Sequence, residues 1–354
     1  MSDYFIERDE KNLRKIDDIL SELPEFVGQF IIGISHRTSV LTRLNYALDI
    51  RVFFTYLSEI KFGGKPTDNI TLSDIEYLKA YDIERYLDSL TSYRLHGKKL
   101  SCGEKTKERK LASLRSLYKY LYKKELIISN VTLKVDMPKL HEKPIVRLES
   151  DEVKKMIELA DGGELFSDRE RAAHSEAQVR DKAILFLFLG TGIRVSELVG
   201  LNKDDLDFEN ASFTVTRKGG NKSILYLPAE SSAALKDYLA WLEEQKAEKT
   251  DFGLRIHDNT ALFLSRNGER IGVRSVEKLV KKYARYAAPL KKITPHKLRS
   301  TYATNLYRAT QDIYVVADVL GHSDVNTTKK HYAQMSEENK RKAAEITKIL
   351  NNDD

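Results

Sequence analysis

The stretch Ile293–Gln334 organises the rest of the chain; it begins I-T-P-H-K-L-R-S-T-Y-A-T-N-L-Y and ends V-L-G-H-S-D-V-N-T-T-K-K-H-Y-A-Q. Threonine suits a helix N-cap and proline suits the first helical turn, so Thr294 and Pro295 predict the start of a helix. His296 and Arg299 then share a face of its first turn. Because a helix N-terminus with a histidine and an arginine favours anions, this stretch predicts a phosphate site.

Two further candidates close the same stretch. The tripeptide L-G-H that ends at His322 is typical of a helix that stops at a glycine, and Tyr332 follows a basic run. A single histidine, arginine or tyrosine of this kind usually belongs to a solvated face or to a core contact. The ordered set of four instead indicates a site that binds and attacks a phosphate.

Length and composition predict a two-domain, soluble protein. The chain has 354 residues, of which 41% are hydrophobic and 32% are charged. Lys and Arg number 59 against 53 Asp and Glu, so the clustering of the basic excess matters more than its size. Cys102 is the single cysteine. It excludes an internal disulfide and favours a cytoplasmic location.

Membrane insertion, metals and cofactors are not expected. No cationic-then-apolar signal segment opens the sequence, and the longest apolar run, Ala183 to Leu189, is too short to span a bilayer. The sequence has neither the C-x-x-C and H-E-x-x-H patterns of zinc sites nor the G-x-x-x-x-G-K-[ST] pattern of ATP sites.

The first part of the chain is predicted to be a set of amphipathic helices. Apolar residues recur at helical spacing from Thr38 onwards, and further helices are predicted over Asp82–Leu90 and Thr106–Tyr122. Basic residues crowd around the last helix, which is typical either of a solvated face or of a helix that contacts DNA phosphates. The second interpretation selects as DNA-binding residues Arg43, Lys105, Lys107, Lys110, Arg115 and Lys119.

A segment without periodicity divides the chain. Val135 to Leu148 contains two prolines and several charges, and we interpret 138–148 as an interdomain linker. The predicted domains are a helical DNA-binding domain over 1–137 and a second domain over 149–354. Ser336–Leu350 predicts a last amphipathic helix in the second domain.

The second domain is predicted to be mainly helical with a small antiparallel β-sheet, an α+β fold. A buried helix over Asp181–Leu189 breaks at G-T-G, and a short helix then carries Arg194 and Glu197. Their spacing suits an ordinary exposed ion pair, although the apolar flank before Arg194 would hold its guanidinium in a partly dry place. Strands over Ser212–Thr216 and Ile224–Leu227 flank a turn with two lysines. The remaining predictions are a third strand over Ala261–Leu264 and helices over Val273–Ala287, Lys297–Thr310 and Asp312–Leu320.

The candidate residues can act together in one reaction; they are Arg194, Lys218, His296, Arg299, His322 and Tyr332. Two arginines clamp the non-bridging oxygens of a phosphate and stabilise the charge of its transition state. Arginines and a histidine favour the phenolate of a neighbouring tyrosine, and a lysine on a turn can protonate a leaving alkoxide. The predicted reaction is attack of tyrosine on a phosphodiester, which gives a covalent phosphotyrosine without a metal or ATP.

These motifs resemble those of the tyrosine recombinases, the lambda-integrase family. The likeness covers about 150–350 and rests on four ordered motifs: G-T-G-I-R-V-S-E-L around Arg194, H-K-L-R from His296 to Arg299, L-G-H ending at His322, and Tyr332. The basic helical first domain resembles the core-binding domain of that family, so the resemblance implies a two-domain DNA clamp with a catalytic second domain. It implies these roles: phosphate binding for Arg194 and Arg299, orientation of Arg194 for Glu197, proton transfer for His296, general acid for Lys218, a phosphate-side donor for His322 and the nucleophile for Tyr332.

Three positions depart from the family pattern or stay open. Tyr332 lies ten positions after the histidine of L-G-H, where many members have nine, so His331 takes the usual place of the tyrosine. Ser300 stands where a second histidine often follows the arginine. Lys218 and Lys222 both lie in the predicted turn, and Lys218 matches the general acid of the family better.

The resemblance also implies an assembly and a biological role. Such recombinases act as four protomers on two double-stranded DNA sites through a Holliday junction, and Ser336–Leu350 resembles their helix that docks on a neighbouring protomer. The chain resembles the Xer-type members, which implies a nucleoid-associated enzyme that resolves chromosome dimers. Integration or excision of a mobile element is the alternative, and a translocase or an excisionase is the corresponding accessory protein. Two other classes remain open: a catalytically silent DNA-binding architectural protein, and a relaxase similar to type IB topoisomerases.

Overall fold

The computed structural model describes residues 3–95, 97–139, 146–162, 177–217 and 220–321. The chain divides into two compact units, Met1–Lys143 and Pro144–Asp354. This division falls inside the segment 138–148 that the sequence predicts as a linker. Leu148 is nevertheless buried, and its amide donates to Thr301 Oγ1 at 3.0 Å. The end of the predicted linker therefore packs as part of the second unit.

The first unit is helical with one short β-hairpin. Its α-helices are α1 (Asp3–Leu20), α2 (Glu25–Gly33), α3 (Val40–Tyr56), α4 (Leu72–Glu76), α5 (Ala80–Ser89) and α6 (Glu104–Lys123). A π-helical turn, Leu57–Lys61, continues α3. The antiparallel hairpin pairs β1 (Tyr93–Leu95) with β2 (Lys98–Leu100). This hairpin is not predicted from the sequence, because strands of three residues give too little alternation to recognise.

The core of the first unit forms around α3, against which α1, α2 and α6 pack. Ser39 begins α3 by accepting the Thr42 amide at 3.2 Å, as an N-cap serine does. The leucines that the sequence places on one face of α6 are all fully buried: Leu111, Leu114, Leu117 and Leu121. The predicted amphipathic character of this helix is therefore confirmed.

The second unit is built around the central helix α8. Its α-helices are α7 (Ser150–Gly162), α8 (Gln178–Thr191), α9 (Val195–Val199), α10 (Ala229–Ala247), α11 (Asp251–Leu254), α12 (Val273–Ala287), α13 (Pro295–Thr310) and α14 (Ile313–Leu320). Helix α8 packs against α7, α10 and α13. It continues through the predicted break at Gly190. The glycine at this position is explained by close packing, because a Cβ there would lie 2.5 Å from Ser231 Oγ. The helix ends at Gly192, which adopts a left-handed conformation with φ of 62°.

A three-stranded antiparallel sheet completes the second unit. Its order is β3 (Leu206–Asp207), β4 (Ser212–Thr216) and β5 (Lys222–Tyr226). The predicted strand Ala261–Leu264 is wrong, because this fully buried run forms isolated bridges at its two ends and no continuous ladder. The Leu264 amide donates to Tyr238 Oη at 3.1 Å. Lys222 lies in β5 opposite Thr216, so it belongs to a strand and not to the turn.

The predicted fold class, mainly helical with a small antiparallel sheet, is confirmed. Within the described ranges, no helix combines the length and the apolar composition that crossing a membrane requires.

Candidate active site

Arg194 is fixed at the turn between α8 and α9, where it is the N-cap residue of α9. Its amide donates to Glu197 Oε2 at 3.0 Å, and its Nη1 donates to Glu197 Oε1 at 2.7 Å. The Glu197 side chain is only 4% exposed, whereas that of Arg194 is 35% exposed. The pair is thus a buried carboxylate that orients a reachable guanidinium, and not the exposed ion pair that the spacing also allowed.

Arg299 lies in the first turns of α13, whose N-cap is Thr294 and whose first residue is Pro295, as predicted. Its side chain is buried and donates to the carbonyl oxygens of Gly192 and Leu320. His296, one turn earlier, has an exposed side chain. Arg299 is therefore the deeper of the two predicted phosphate-binding arginines, and Arg194 is the more accessible.

Three arginines meet at the C-terminal end of α14. Arg194 Nη2 donates to the Gly321 carbonyl at 3.1 Å, and Arg299 donates to the Leu320 carbonyl. Arg217 Nη2 donates to the Val319 carbonyl at 3.1 Å. The last carbonyls of a helix lack intrahelical partners and carry the negative end of its dipole, so three guanidinium groups suit this place. Arg217, which stands directly before Lys218, is not among the residues predicted from the sequence.

Two glycines near the arginines leave room for neighbouring side chains. Gly192 and Gly321 both adopt left-handed conformations, and a Cβ at either position would overlap a neighbouring side chain, the Tyr302 ring or the Arg217 guanidinium. Burial raises the pKa of the Tyr302 hydroxyl, which the nearby Arg299 guanidinium opposes. Burial therefore disfavours the phenolate of Tyr302, although Arg299 lies nearby.

The structure brings Arg194, Glu197 and Arg299 together, whereas Lys218, His322 and Tyr332 lie outside the described residues. The last helix predicted, Ser336–Leu350, and His331 lie outside them as well. Along the chain, Lys218 directly follows Arg217 and His322 directly follows Gly321. Lys218 and His322 are thus adjacent in sequence to Arg217 and Gly321, two of the residues at the end of α14.

On the basic helix α6, the prediction of Lys110 as a DNA-binding residue is wrong. Lys110 is buried, and its Nζ donates to Asp49 Oδ1 at 3.1 Å. The buried Asp49 carboxylate also accepts from Arg109 Nη1 at 2.6 Å and from Ser113 Oγ at 2.9 Å. Because a buried carboxylate requires partners, Lys110 serves to join α3 to α6.

Arg115 is likewise used inside the first unit. Its Nη2 donates to the Val135 carbonyl at 2.6 Å and its Nε to that of Thr132 at 3.4 Å. This arrangement ties α6 to the following segment and leaves the Arg115 side chain half-buried.

The remaining predicted DNA-binding residues keep some exposure. Lys105 and Lys119 are exposed, and Arg43 is half-buried. The Lys107 ammonium donates to Thr91 Oγ1 at 3.1 Å and lies 3.2 Å from the Glu104 carboxylate. Lys105 and Lys119 are therefore the two members of the set with freely accessible charge.

An arginine held by a buried glutamate, beside a second arginine held by helix carbonyls, is an arrangement suited to a phosphate group. The fold and this site together define a protein with a helical first unit and a mixed second unit that brings two arginines together.

Comparisons with known proteins give the family. The sequence model of the phage integrase family matches residues 146–339, and that of the phage integrase N-terminal SAM-like domain matches residues 28–125. A tyrosine recombinase XerC from Caldanaerobacter subterraneus is 37% identical over 297 residues, 80% of this chain and 75% of that protein. A tyrosine recombinase XerS from Streptococcus thermophilus is 30% identical over 354 residues, 93% of this chain and 97% of that protein.

A solved structure agrees in fold. The XerH site-specific recombinase in a post-cleavage complex with a palindromic difH substrate has a TM-score of 0.64 at 20% identity, over 87% of this chain and 80% of that one. The chain therefore belongs to the phage integrase family and is a Xer-type tyrosine recombinase.

Proposed function

We propose that this recombinase cuts and rejoins double-stranded DNA through a covalent bond to Tyr332. The tyrosine Oη gives up its proton, for which His296 is the proposed acceptor, and attacks the scissile phosphorus. The 5′-oxygen leaves with a proton from Lys218, and the DNA 3′-phosphate remains on the tyrosine. In the reverse step a 5′-hydroxyl attacks the phosphotyrosine and releases the enzyme. Since the energy of the phosphodiester bond is kept, neither ATP nor another energy source is consumed.

The meeting of Arg194 and Arg299 at the end of α14 carries this proposal. Gly321, which follows the last residue of that helix and accepts from Arg194, directly precedes His322 in the sequence, and His322 is proposed as the third phosphate-binding group. Forked hydrogen bonds from two arginines offset the charge that gathers on the non-bridging oxygens as tyrosine attacks. Their fixed orientation is what makes them effective, because no reorganisation is needed during the reaction.

The two histidines are proposed to assist on either side of the phosphate. His296 is exposed at the first turn of α13, where its ring can exchange protons with the reacting groups. His322 would donate a hydrogen bond to a non-bridging oxygen. Glu197 acts through Arg194 and is a positioning residue.

The partner is proposed to be DNA that both units bind. In this proposal the first domain, 1–137, uses Lys105, Lys119 and Arg43 for backbone contacts, and the second, 149–354, holds the chemistry. Four protomers assemble on two sites, and exchange proceeds through a Holliday junction. The segment Ser336–Leu350 is proposed to join neighbouring protomers.

The proposed biological role is resolution of chromosome dimers in the Xer manner, and the near full-length match to a XerS protein supports it. Sequencing the DNA that is covalently trapped on the enzyme in cells tests this role. A single recurrent chromosomal site supports it. The ends of a mobile element would instead establish integration or excision, and the accessory protein would then be an excisionase and not a translocase.

A nicked suicide substrate tests the chemistry. Tyr332→Phe is expected to bind this DNA with unchanged affinity and to form no covalent adduct, while Tyr314→Phe, which alters an exposed tyrosine of α14, reacts normally. Because arginines and not carboxylates are proposed to hold the phosphate, the wild-type enzyme is expected to react in excess EDTA. An adduct in Tyr332→Phe, or strict dependence on magnesium, would refute the proposal.

A further inference from the structure

Arg217 lies at the start of the turn between β4 and β5, and its backbone is fixed there. Its amide donates to the Asn221 carbonyl at 2.8 Å, and its carbonyl accepts the Gly220 amide at 3.1 Å. From this anchored position the side chain reaches the end of α14, where Nη2 donates to the Val319 carbonyl. One side chain thus connects the sheet of the second unit to the end of a distant helix.

The Arg217 side chain is half-buried, and its guanidinium lies against Gly321. It occupies the space that a Cβ at position 321 would need, so the glycine that ends α14 is required both by its left-handed φ of 59° and by this approach. Its Nε is buried and, within the described part of the chain, has no hydrogen-bond acceptor. Among the described residues, the contacts that place this side chain are therefore its bond to the Val319 carbonyl and its packing against Gly321.

We propose that Arg217 is a positioning residue that holds the β4–β5 turn and the end of α14 in one relative arrangement; this inference rests on the proposed function. Arg217 directly precedes Lys218, the proposed general acid, and Gly321 directly precedes His322, the proposed phosphate-side donor. The Arg217 contact therefore joins the two chain segments that carry these groups. Arg194 and Arg299 bind the next two carbonyls of the same helix end, so the three arginines share one reference point.

The alternative role for Arg217 is a third arginine that binds the scissile phosphate. The two roles differ in how they depend on the leaving group. A residue that places Lys218 matters only while the leaving oxygen needs a proton. A residue that binds the non-bridging oxygens matters whichever atom leaves.

The experiment compares the rates at which each variant cleaves two suicide substrates. One is normal DNA, and in the other sulfur replaces the 5′-bridging oxygen. Since a thiolate leaves without a proton, Lys218→Ala is expected to be slow on normal DNA and to recover on the sulfur substrate. Arg217→Ala is expected to be about 10²-fold slower on normal DNA, the scale of a 1 Å misplacement, and to recover similarly. Arg217→Lys keeps one donor for the Val319 carbonyl and is expected to fall between Arg217→Ala and the wild type.

Two controls complete the design. Lys222→Ala removes an exposed charge from β5 and is expected to cleave both substrates at the wild-type rate. Arg299→Ala is expected to be slow on both. Thermal unfolding of each variant checks folding, and Arg217→Gln provides the same comparison if Arg217→Ala is unfolded.

The outcomes separate the inference from the function on which it rests. The positioning role is overturned if Arg217→Ala cleaves normal DNA at the wild-type rate. It is also overturned if Arg217→Ala stays slow on the sulfur-substituted DNA, as Arg299→Ala is expected to do. Lys218→Ala that stays slow on sulfur instead removes Lys218 as the acid of the proposed function. Recovery of Arg217→Ala and Lys218→Ala on the sulfur-substituted DNA supports both the positioning role of Arg217 and the general-acid role of Lys218.

Discussion

At the scale of single residues, the site depends on what holds each arginine. Arg194 is oriented by a buried glutamate and a helix carbonyl, and Arg299 by two carbonyls. The sequence predicted both arginines and Glu197 from their motifs. It did not predict the carbonyl partners or Arg217, because these contacts join residues about 20 to 130 positions apart and leave no local pattern.

The first prediction concerns Glu197→Gln. Glutamine keeps the size of the side chain but removes the charge that orients the Arg194 guanidinium. We expect unchanged DNA affinity and cleavage of the suicide substrate slowed by about 10²-fold. The matched control is Glu243→Gln, which alters an exposed glutamate paired with Lys246. Wild-type cleavage by Glu197→Gln would show that the carboxylate does not position Arg194.

At the scale of elements, periodicity predicted most helices well. Val273–Ala287 agrees at both ends, and Asp312–Leu320 differs only in that Asp312 is the N-cap, accepting the Tyr314 amide at 2.7 Å. Helix α6 shows where a pattern alone fails: its basic residues look alike in sequence, but burial separates Lys110 from Lys119. That difference depends on Asp49, some sixty positions earlier, which accepts Lys110 in the core.

The second prediction compares two lysines of α6 that carry the same charge. Lys119→Ala is expected to leave the free energy of unfolding unchanged and to weaken binding equally for target and random DNA. The slope of log K for binding against log salt concentration is expected to become less steep by about 0.9 per lost phosphate contact. Lys110→Ala is expected to cost about 3 kcal/mol of unfolding free energy, because it removes one partner of a buried ion pair, and to leave the salt dependence unchanged.

Urea denaturation and DNA titrations at several salt concentrations measure the two effects. An unchanged salt dependence in Lys119→Ala would show that this face of α6 is merely solvated. A lowered salt dependence in a fully stable Lys110→Ala would restore the original assignment of Lys110 to DNA.

At the scale of the whole molecule, the first unit is proposed to bind the DNA backbone and the second unit to carry out the reaction. The family models match each unit separately, at residues 28–125 and 146–339. Sequence composition predicted a two-domain chain, and the division at Lys143 and Pro144 falls in the proline-containing segment.

The third prediction concerns the proposed assembly of four protomers. With DNA that carries the target site, Tyr332→Phe is expected to form a complex of two duplexes and four chains, each of 40.6 kDa. This variant prevents covalent turnover and so keeps the complex in one state. Analytical ultracentrifugation gives the protein stoichiometry. A complex that never exceeds one chain per duplex would favour a relaxase similar to type IB topoisomerases.

The central claim is tested most directly by identifying the residue of the wild-type enzyme that becomes bound to DNA. After reaction with a suicide substrate, protease digestion and mass spectrometry of the DNA-linked peptide are expected to place a 3′-phosphate on Tyr332, with a free 5′-hydroxyl on the released strand. Tyr302 lies beside Arg299, but its raised pKa makes it a poor rival. Attachment to Tyr302, Tyr314 or His331, or a linkage through a 5′-phosphate, would contradict the account.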